Sequence, residues 1–200
     1  MRLLLRLELK LMVKNIAVLV SGGGSNFENL ALKSAEAGFE IKILIADSPD
    51  AYAVKRAEKL NIPHIIIDRS KYSAKKEFET AVTEAVSNFN IDYIVLAGFM
   101  RILSAEFINF YKNRIINIHP SLLPSFKGRN GIEDAYNYGV KVTGVTVHFV
   151  DAGIDTGKII AQTAVIIEED ETLLSLEEKI HQAEYELYHA ALKKVLDGGV

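Results

Sequence analysis

The 200-residue chain is predicted to be an α/β protein with a doubly wound, mainly parallel sheet, an antiparallel C-terminal strand and a final helix. Three observations carry that expectation. Short apolar, β-branched runs alternate with amphipathic stretches across residues 16–118, the rhythm of strand-helix-strand units. Those runs are apolar at nearly every position, as strands covered on both faces must be. Near the end, two strand-like runs are joined by a loop too short for a helical crossover, so they should pair antiparallel.

Taken in order, residues 1–11 alternate Leu5, Leu7, Leu9 and Leu11 with Arg6, Glu8 and Lys10, the period of a half-buried strand. Interrupting charges and the lack of a small-residue cleavage site exclude a secretory signal. Met12, just before the first convincing strand, is a second candidate start. A single domain is therefore expected over 12–200, with 1–11 as an extension. Residues 16–20 read as a strand, and Ser21-Gly22-Gly23-Gly24-Ser25-Asn26 as a turn into a helix running to about Ala37. A strand follows at 39–46, a helix at 51–60 ended by Asn61-Ile62-Pro63, and a short strand at 64–67. Residues 71–89 are helical, with Phe78, Val82, Ala85 and Val86 on one stripe. A fourth strand at 92–97, the loop 98–101 and a helix at 104–111 lead to the strand 114–118. Beyond Pro124, the basic, glycine-containing segment 125–131 is a candidate lid. A short helix at 132–138, strands at 142–150 and 158–167, and a helix from Leu173 to about Leu196 complete the chain.

Three features should lie at the carboxyl ends of strands, where open α/β sheets bind ligands. Asn117 and His119 leave one strand on the same face, with Ile118 opposed to them. An amide donor beside an imidazole suits polarising a carbonyl while moving a proton. Pro120 and Pro124 then impose an extended exit. The glycine turn aims backbone N–H groups at a bound anion, with Ser25 and Asn26 adding side-chain donors and capping the helix. Its dinucleotide fingerprint is incomplete, because Phe27 takes the third glycine position. The third feature is the loop Gly98-Phe99-Met100-Arg101. Glu184 falls on the apolar stripe of the last helix, as an edge residue or a buried one needing a partner.

Composition narrows the classes. Hydrophobic content of 49% with 24% charge describes a globular chain. A net charge of −3 provides no field for a nucleic-acid backbone, so nucleic acid is not an expected partner. No apolar run suggests a membrane span. The absence of cysteine excludes thiolate chemistry and suits a reducing cytoplasm. His119, His148 and Asp155 follow no metal-ligand spacing, and no metal is expected.

Asn117-Ile118-His119-Pro120-Ser121-Leu122-Leu123-Pro124, together with Gly144-Val145-Thr146-Val147-His148-Phe149-Val150 and the loop through Asp155, resembles the folate-dependent formyltransferases. The likeness runs from Met12 to the final helix and includes the glycine turn and residues 96–103. It implies a Rossmann-like fold and 10-formyltetrahydrofolate as cosubstrate. The implied reaction moves the formyl group to the amine of glycinamide ribonucleotide in de novo purine synthesis, through a tetrahedral intermediate. By motif, Asn117, His119 and Asp155 would be catalytic, and Gly24, Ser25, Asn26 and Glu184 would hold phosphate and ribose. Lys75, Met100, Arg101 and Leu103 would border the folate, while His148 reads as structural. Two departures stand out: relatives often carry arginine at Lys75, and a histidine-containing segment where this chain has Arg129-Asn130-Gly131. A homodimer is compatible with the likeness.

Three other readings share part of this pattern. Formyl transfer to an amino sugar or to methionyl-tRNA would use the same trio, although the tRNA enzymes carry a further C-terminal domain for which 200 residues leave no room. Hydrolysis of the formyl folate is usually accompanied by an extra N-terminal regulatory domain. A non-catalytic nucleotide-binding module or a dehydrogenase using Gly22 and Gly24 would lean on Asp47 as a ribose-binding acid.

Overall fold

The computed structural model describes residues 13–200, and the expectations for residues 1–11 lie outside them. Among the described residues, seven strands form one sheet in the order β3-β2-β1-β4-β5-β6-β7. They are β1 (Lys14–Val20), β2 (Phe39–Ala46), β3 (His64–Ile66), β4 (Tyr93–Leu96), β5 (Ile115–His119), β6 (Val142–Phe149) and β7 (Ile159–Ile166). Strands β3, β2, β1, β4 and β5 are parallel. The antiparallel section is wider than expected. Strand β6 runs antiparallel to β5 as well as to β7, so the direction reverses one strand earlier than the short final loop indicated.

Helices cover both faces: α1 (Ser25–Ala37), α2 (Ala53–Lys59), α3 (Lys75–Ser87), α4 (Ala105–Phe110), α5 (Gly131–Tyr138) and α6 (Leu173–Leu196). The expected long helix over 71–89 is a 3₁₀ turn at Arg69–Lys71 followed by α3, with Glu77 bonding back to the Ala74 N–H at the helix start. Strand alternation divides the core. Ile16, Val18 and Val20 of β1 join Phe27 and Leu30 of α1 and Leu176, Ile180 and Leu192 of α6 on one face. Ala17 and Leu19 meet Phe78 and Val82 of α3 and Phe107 of α4 on the other. Tyr188 of α6 is buried, and its hydroxyl lies 2.9 Å from the Leu96 carbonyl and 3.2 Å from that of Ile116. The last helix is thereby tied to β4 and β5, and burial pushes this phenol well above the usual tyrosine range.

The chain passes from β1 outward to β3, then back across β1 to β4. The crevice between β1 and β4 is therefore the topological switch point. Its two walls are stitched together. The Ser21 N–H donates to the Gly98 carbonyl at 3.0 Å, and the Met100 N–H donates to the Ser21 hydroxyl at 2.8 Å.

Gly24 earns its place by conformation and by packing. Its φ is +73°, and a Cβ there would stand 2.5 Å from the Ala53 Cβ. Gly23 has no atom within 4 Å of such a position. Gly24→Ala is expected to cost at least about 2 kcal/mol and lower Tm by roughly 5 °C, through left-handed strain and collision with α2. Gly23→Ala should leave Tm nearly unchanged. Equal shifts in thermal melts of the two variants would discount the packing account.

Candidate active site

Strand β5 delivers Asn117 and His119 to the carboxyl edge while Ile118 turns into the core, as alternation requires. The loop after β6 brings Asp155 to them. Asp155 adopts φ 51°, and its Oδ2 accepts from the Gly128 N–H at 2.8 Å. His119 Nδ1 lies 3.5 Å from Asp155 Oδ2, and His148 Nε2 lies 3.7 Å from Oδ1. One carboxylate therefore spans two imidazoles.

The hydrogen bonds define tautomers. His119 Nε2 is 2.8 Å from the Phe126 carbonyl, and a carbonyl only accepts, so Nε2 carries a proton. The same reasoning places a proton on His148 Nδ1, which is 2.8 Å from the Phe149 carbonyl. His148 Nε2 is then free to accept from the Asn117 amide at 3.3 Å. Burial pushes the His148 pKa below its usual 6.5, against the Phe149 bond and the Asp155 charge, favouring this neutral form. Both ring nitrogens of His148 thus have local partners, in keeping with its structural reading from the sequence, and one of them holds the Asn117 amide.

The candidate lid lies on these groups. The Phe126 carbonyl covers His119, the Gly128 N–H holds Asp155, and the Phe126 ring packs edge-on against Tyr138 at 5.8 Å.

At the glycine turn the expected capping differs. The N-cap of α1 is Gly24, with no side-chain cap, and Ser25 is the first helical residue. The first-turn N–H groups of α1 are thus left without a side-chain acceptor. Asn26 faces the last helix, its Nδ2 donating to Glu184 Oε2 at 2.9 Å, while its buried Oδ1 has no partner among the described residues. Glu184 is 6% exposed, a buried acid rather than an edge residue. Burial raises its pKa above the usual 4.5, opposed by the Asn26 bond and by His181. A raised native pKa means the folded state holds the proton more tightly than the unfolded one. This stabilisation is complete below pH 4.5 and is lost as pH rises through the folded value. Glu184→Gln should therefore flatten the decline of Tm with pH above 4.5. Identical slopes in the two melting series would remove Glu184 from that role.

The remaining predicted residues divide. Met100 is 52% exposed and Ile102 is 66% exposed, giving an apolar rim beside the switch point that suits a flat aromatic ligand. Arg101 is paired through Nε with Asp47, which is buried at the end of β2 with Oδ1 unpartnered among the described residues. The side chain of Leu103 is buried in the core, so any ligand contact there falls to its backbone. Lys75 opens α3 as an exposed residue and makes none of the bonds that tie these loops together.

The sequence profile of a family described as formyl transferase matches residues 14–192. The chain belongs to the formyl transferase family. The phosphoribosylglycinamide formyltransferase of Bacillus subtilis (strain 168) is 41% identical over 186 residues, covering 92% of this chain and 95% of that protein. The human trifunctional purine biosynthetic protein adenosine-3 is 41% identical over 187 residues, which are 92% of this chain and 18% of that protein. The crystal structure of phosphoribosylglycinamide formyltransferase from Bacillus halodurans matches with a TM-score of 0.88 at 44% identity, covering 92% and 95% of the two chains.

Membership in the formyl transferase family agrees with the fold, including the antiparallel end of the sheet and the final helix. The dehydrogenase alternative loses its support, because Asp47 is engaged with Arg101. Among the described residues no helix is long and apolar enough to cross a membrane.

Proposed function

We propose that the chain transfers the formyl group of 10-formyltetrahydrofolate to the amine of glycinamide ribonucleotide, the step of de novo purine synthesis carried out by phosphoribosylglycinamide formyltransferases. The observation that carries this reading is the meeting of Asn117, His119 and Asp155 at the carboxyl edge of the sheet. Stitched strand ends join that edge to an uncapped glycine turn and to an apolar rim. In this reading the phosphate sits at Gly24, Ser25 and Asn26, and Glu184 receives the ribose hydroxyls. The folate lies against Met100, Arg101 and Leu103, with Lys75 an outer cation for its acidic tail.

The attacking amine is neutral and sheds a proton as its bond to the formyl carbon forms, while the folate nitrogen gains one as it leaves. Imidazole exchanges protons near neutrality, so His119 serves that transfer. Once the Phe126 carbonyl withdraws, the ring proton rests on Nδ1 against Asp155 and Nε2 is free to take the amine's proton and pass it to the leaving folate nitrogen, with Asp155 balancing the intervening imidazolium. Asn117 donates its second amide hydrogen to the developing oxyanion. All these groups come from one chain, so the reading requires no second copy and is compatible with a homodimer. A cytoplasmic setting for the reaction is supported by the cysteine-free composition, which suits a reducing compartment.

The test is a formyl-transfer assay with glycinamide ribonucleotide and 10-formyltetrahydrofolate. Equal amounts of tetrahydrofolate and formylated ribonucleotide are expected. Release of formate alone, or turnover only with an amino sugar or methionyl-tRNA, would overturn the reading.

A further inference from the structure

We propose that Arg56 of α2 is a positioning residue for the phosphate-binding turn, acting through the Gly23 carbonyl. This inference rests on the assignment of the glycine turn to the substrate phosphate. Helix α2 grips the turn from behind at consecutive residues. The Ala53 N–H donates to the Gly22 carbonyl at 3.1 Å, and Arg56 Nε donates to the Gly23 carbonyl at 2.9 Å. In a trans peptide the N–H points opposite to the carbonyl of the same plane. Drawing the two carbonyls toward α2 therefore turns the Gly23 and Gly24 N–H groups to the side away from α2. Gly24 in the left-handed region followed by helical Ser25 is the backbone arrangement of an anion-binding nest.

The guanidinium also governs the local charge. Glu28, in the first turn of α1, carries a negative charge where a phosphate would be repelled. Arg56 Nη1 pairs with that carboxylate, and the guanidinium lies 5.2 Å over the Tyr52 ring. Its Nε, Nη1 and flat face are thus all engaged, which fixes the fork relative to Gly23. Lysine has one ammonium and cannot hold the carbonyl and the carboxylate in the same geometry.

The experiment compares Arg56→Met, Arg56→Lys and the double variant Arg56→Met with Glu28→Gln. Steady-state kinetics are measured for both substrates, and amide chemical shifts of Gly23 and Gly24 are followed during titration with inorganic phosphate. Arg56→Met should raise the KM for glycinamide ribonucleotide about tenfold, the loss expected for one charge-assisted hydrogen bond. Its kcat and its KM for the folate should stay within about twofold, since the lost interaction is uniform binding. Arg56→Lys should fall between. The double variant, lacking the uncompensated Glu28 charge, should still show the raised KM. A double variant restored to the original KM would mean that charge alone matters and overturn positioning through Gly23. A matched rise in both KM values would overturn it as well, by revealing general distortion. If the unmodified protein does not formylate glycinamide ribonucleotide, the phosphate titration still decides. Arg56-dependent shifts at Gly24 would sustain the inference while the proposed function fails, and shifts independent of Arg56 would overturn it.

Discussion

His119→Ala is expected to lower kcat by a factor of about 100 to 10,000, the usual worth of a positioned acid–base group. The imidazole is nearly enclosed at the end of β5, so its two nitrogens have defined neighbours: Asp155 at Nδ1 and the Phe126 carbonyl at Nε2. Removing the ring deletes the proton carrier and leaves a carboxylate and a carbonyl short of partners, an added stability cost of about 1–3 kcal/mol. Circular dichroism and thermal melting separate that cost from the chemistry. His119→Gln supplies a second arm, because an amide can still donate toward Phe126 but cannot take up a proton at neutral pH. Both variants should bind the two substrates with modestly changed affinity and turn over slowly. Near-normal kcat in a folded His119→Gln enzyme would remove proton transfer from the role of this residue.

Asn117→Ala should lose about 3 kcal/mol of transition-state stabilisation, a fall of 100-fold or more in kcat with little change in either KM. Pairing with Leu96 on one side and His148 on the other fixes the backbone of Asn117. The bond to His148 Nε2 commits one amide hydrogen and leaves the other to face an oxyanion. Asn117→Asp should be worse than alanine, since a carboxylate in that position repels developing negative charge. His148→Ala should cost less than Asn117→Ala, because it only frees the amide to rotate. Stopped-flow or initial-rate kinetics on the three variants give the order. A His148→Ala loss equal to or larger than that of Asn117→Ala would mean that the imidazole itself enters the chemistry.

Local periodicity determined a good deal of this protein from sequence alone. Apolar runs one strand long, separated by amphipathic stretches, specify parallel units and the faces of their side chains, because a strand repeats every two residues and a helix every 3.6. Thus Ile118 could be assigned to the core and Asn117 and His119 to the opposite face before any contact was known. The glycine turn was legible for the same reason, three glycines between a strand and a helix being a local signal. Asp155 joins the trio through resemblance of motifs and not through spacing, since it lies 36 positions beyond His119.

Tertiary structure decided what depends on distant partners and on exclusion of water. The reversal of β6 against β5 is set by how residues 120–141 cross the sheet edge, which no periodicity encodes. The proton positions on His119 and His148 follow from the carbonyls of Phe126 and Phe149, contacts that exist only when the loops are in place. Glu184 changed from a residue compatible with either a helix edge or a buried site to an acid beside Asn26, 158 residues away, because α6 packs against α1. No local pattern marks Arg56 among the cations of its helix, and only folding sets its guanidinium on the carbonyl of Gly23. In each case the residue type fixes which bonds are possible, and only the packed chain removes the water that would otherwise satisfy them.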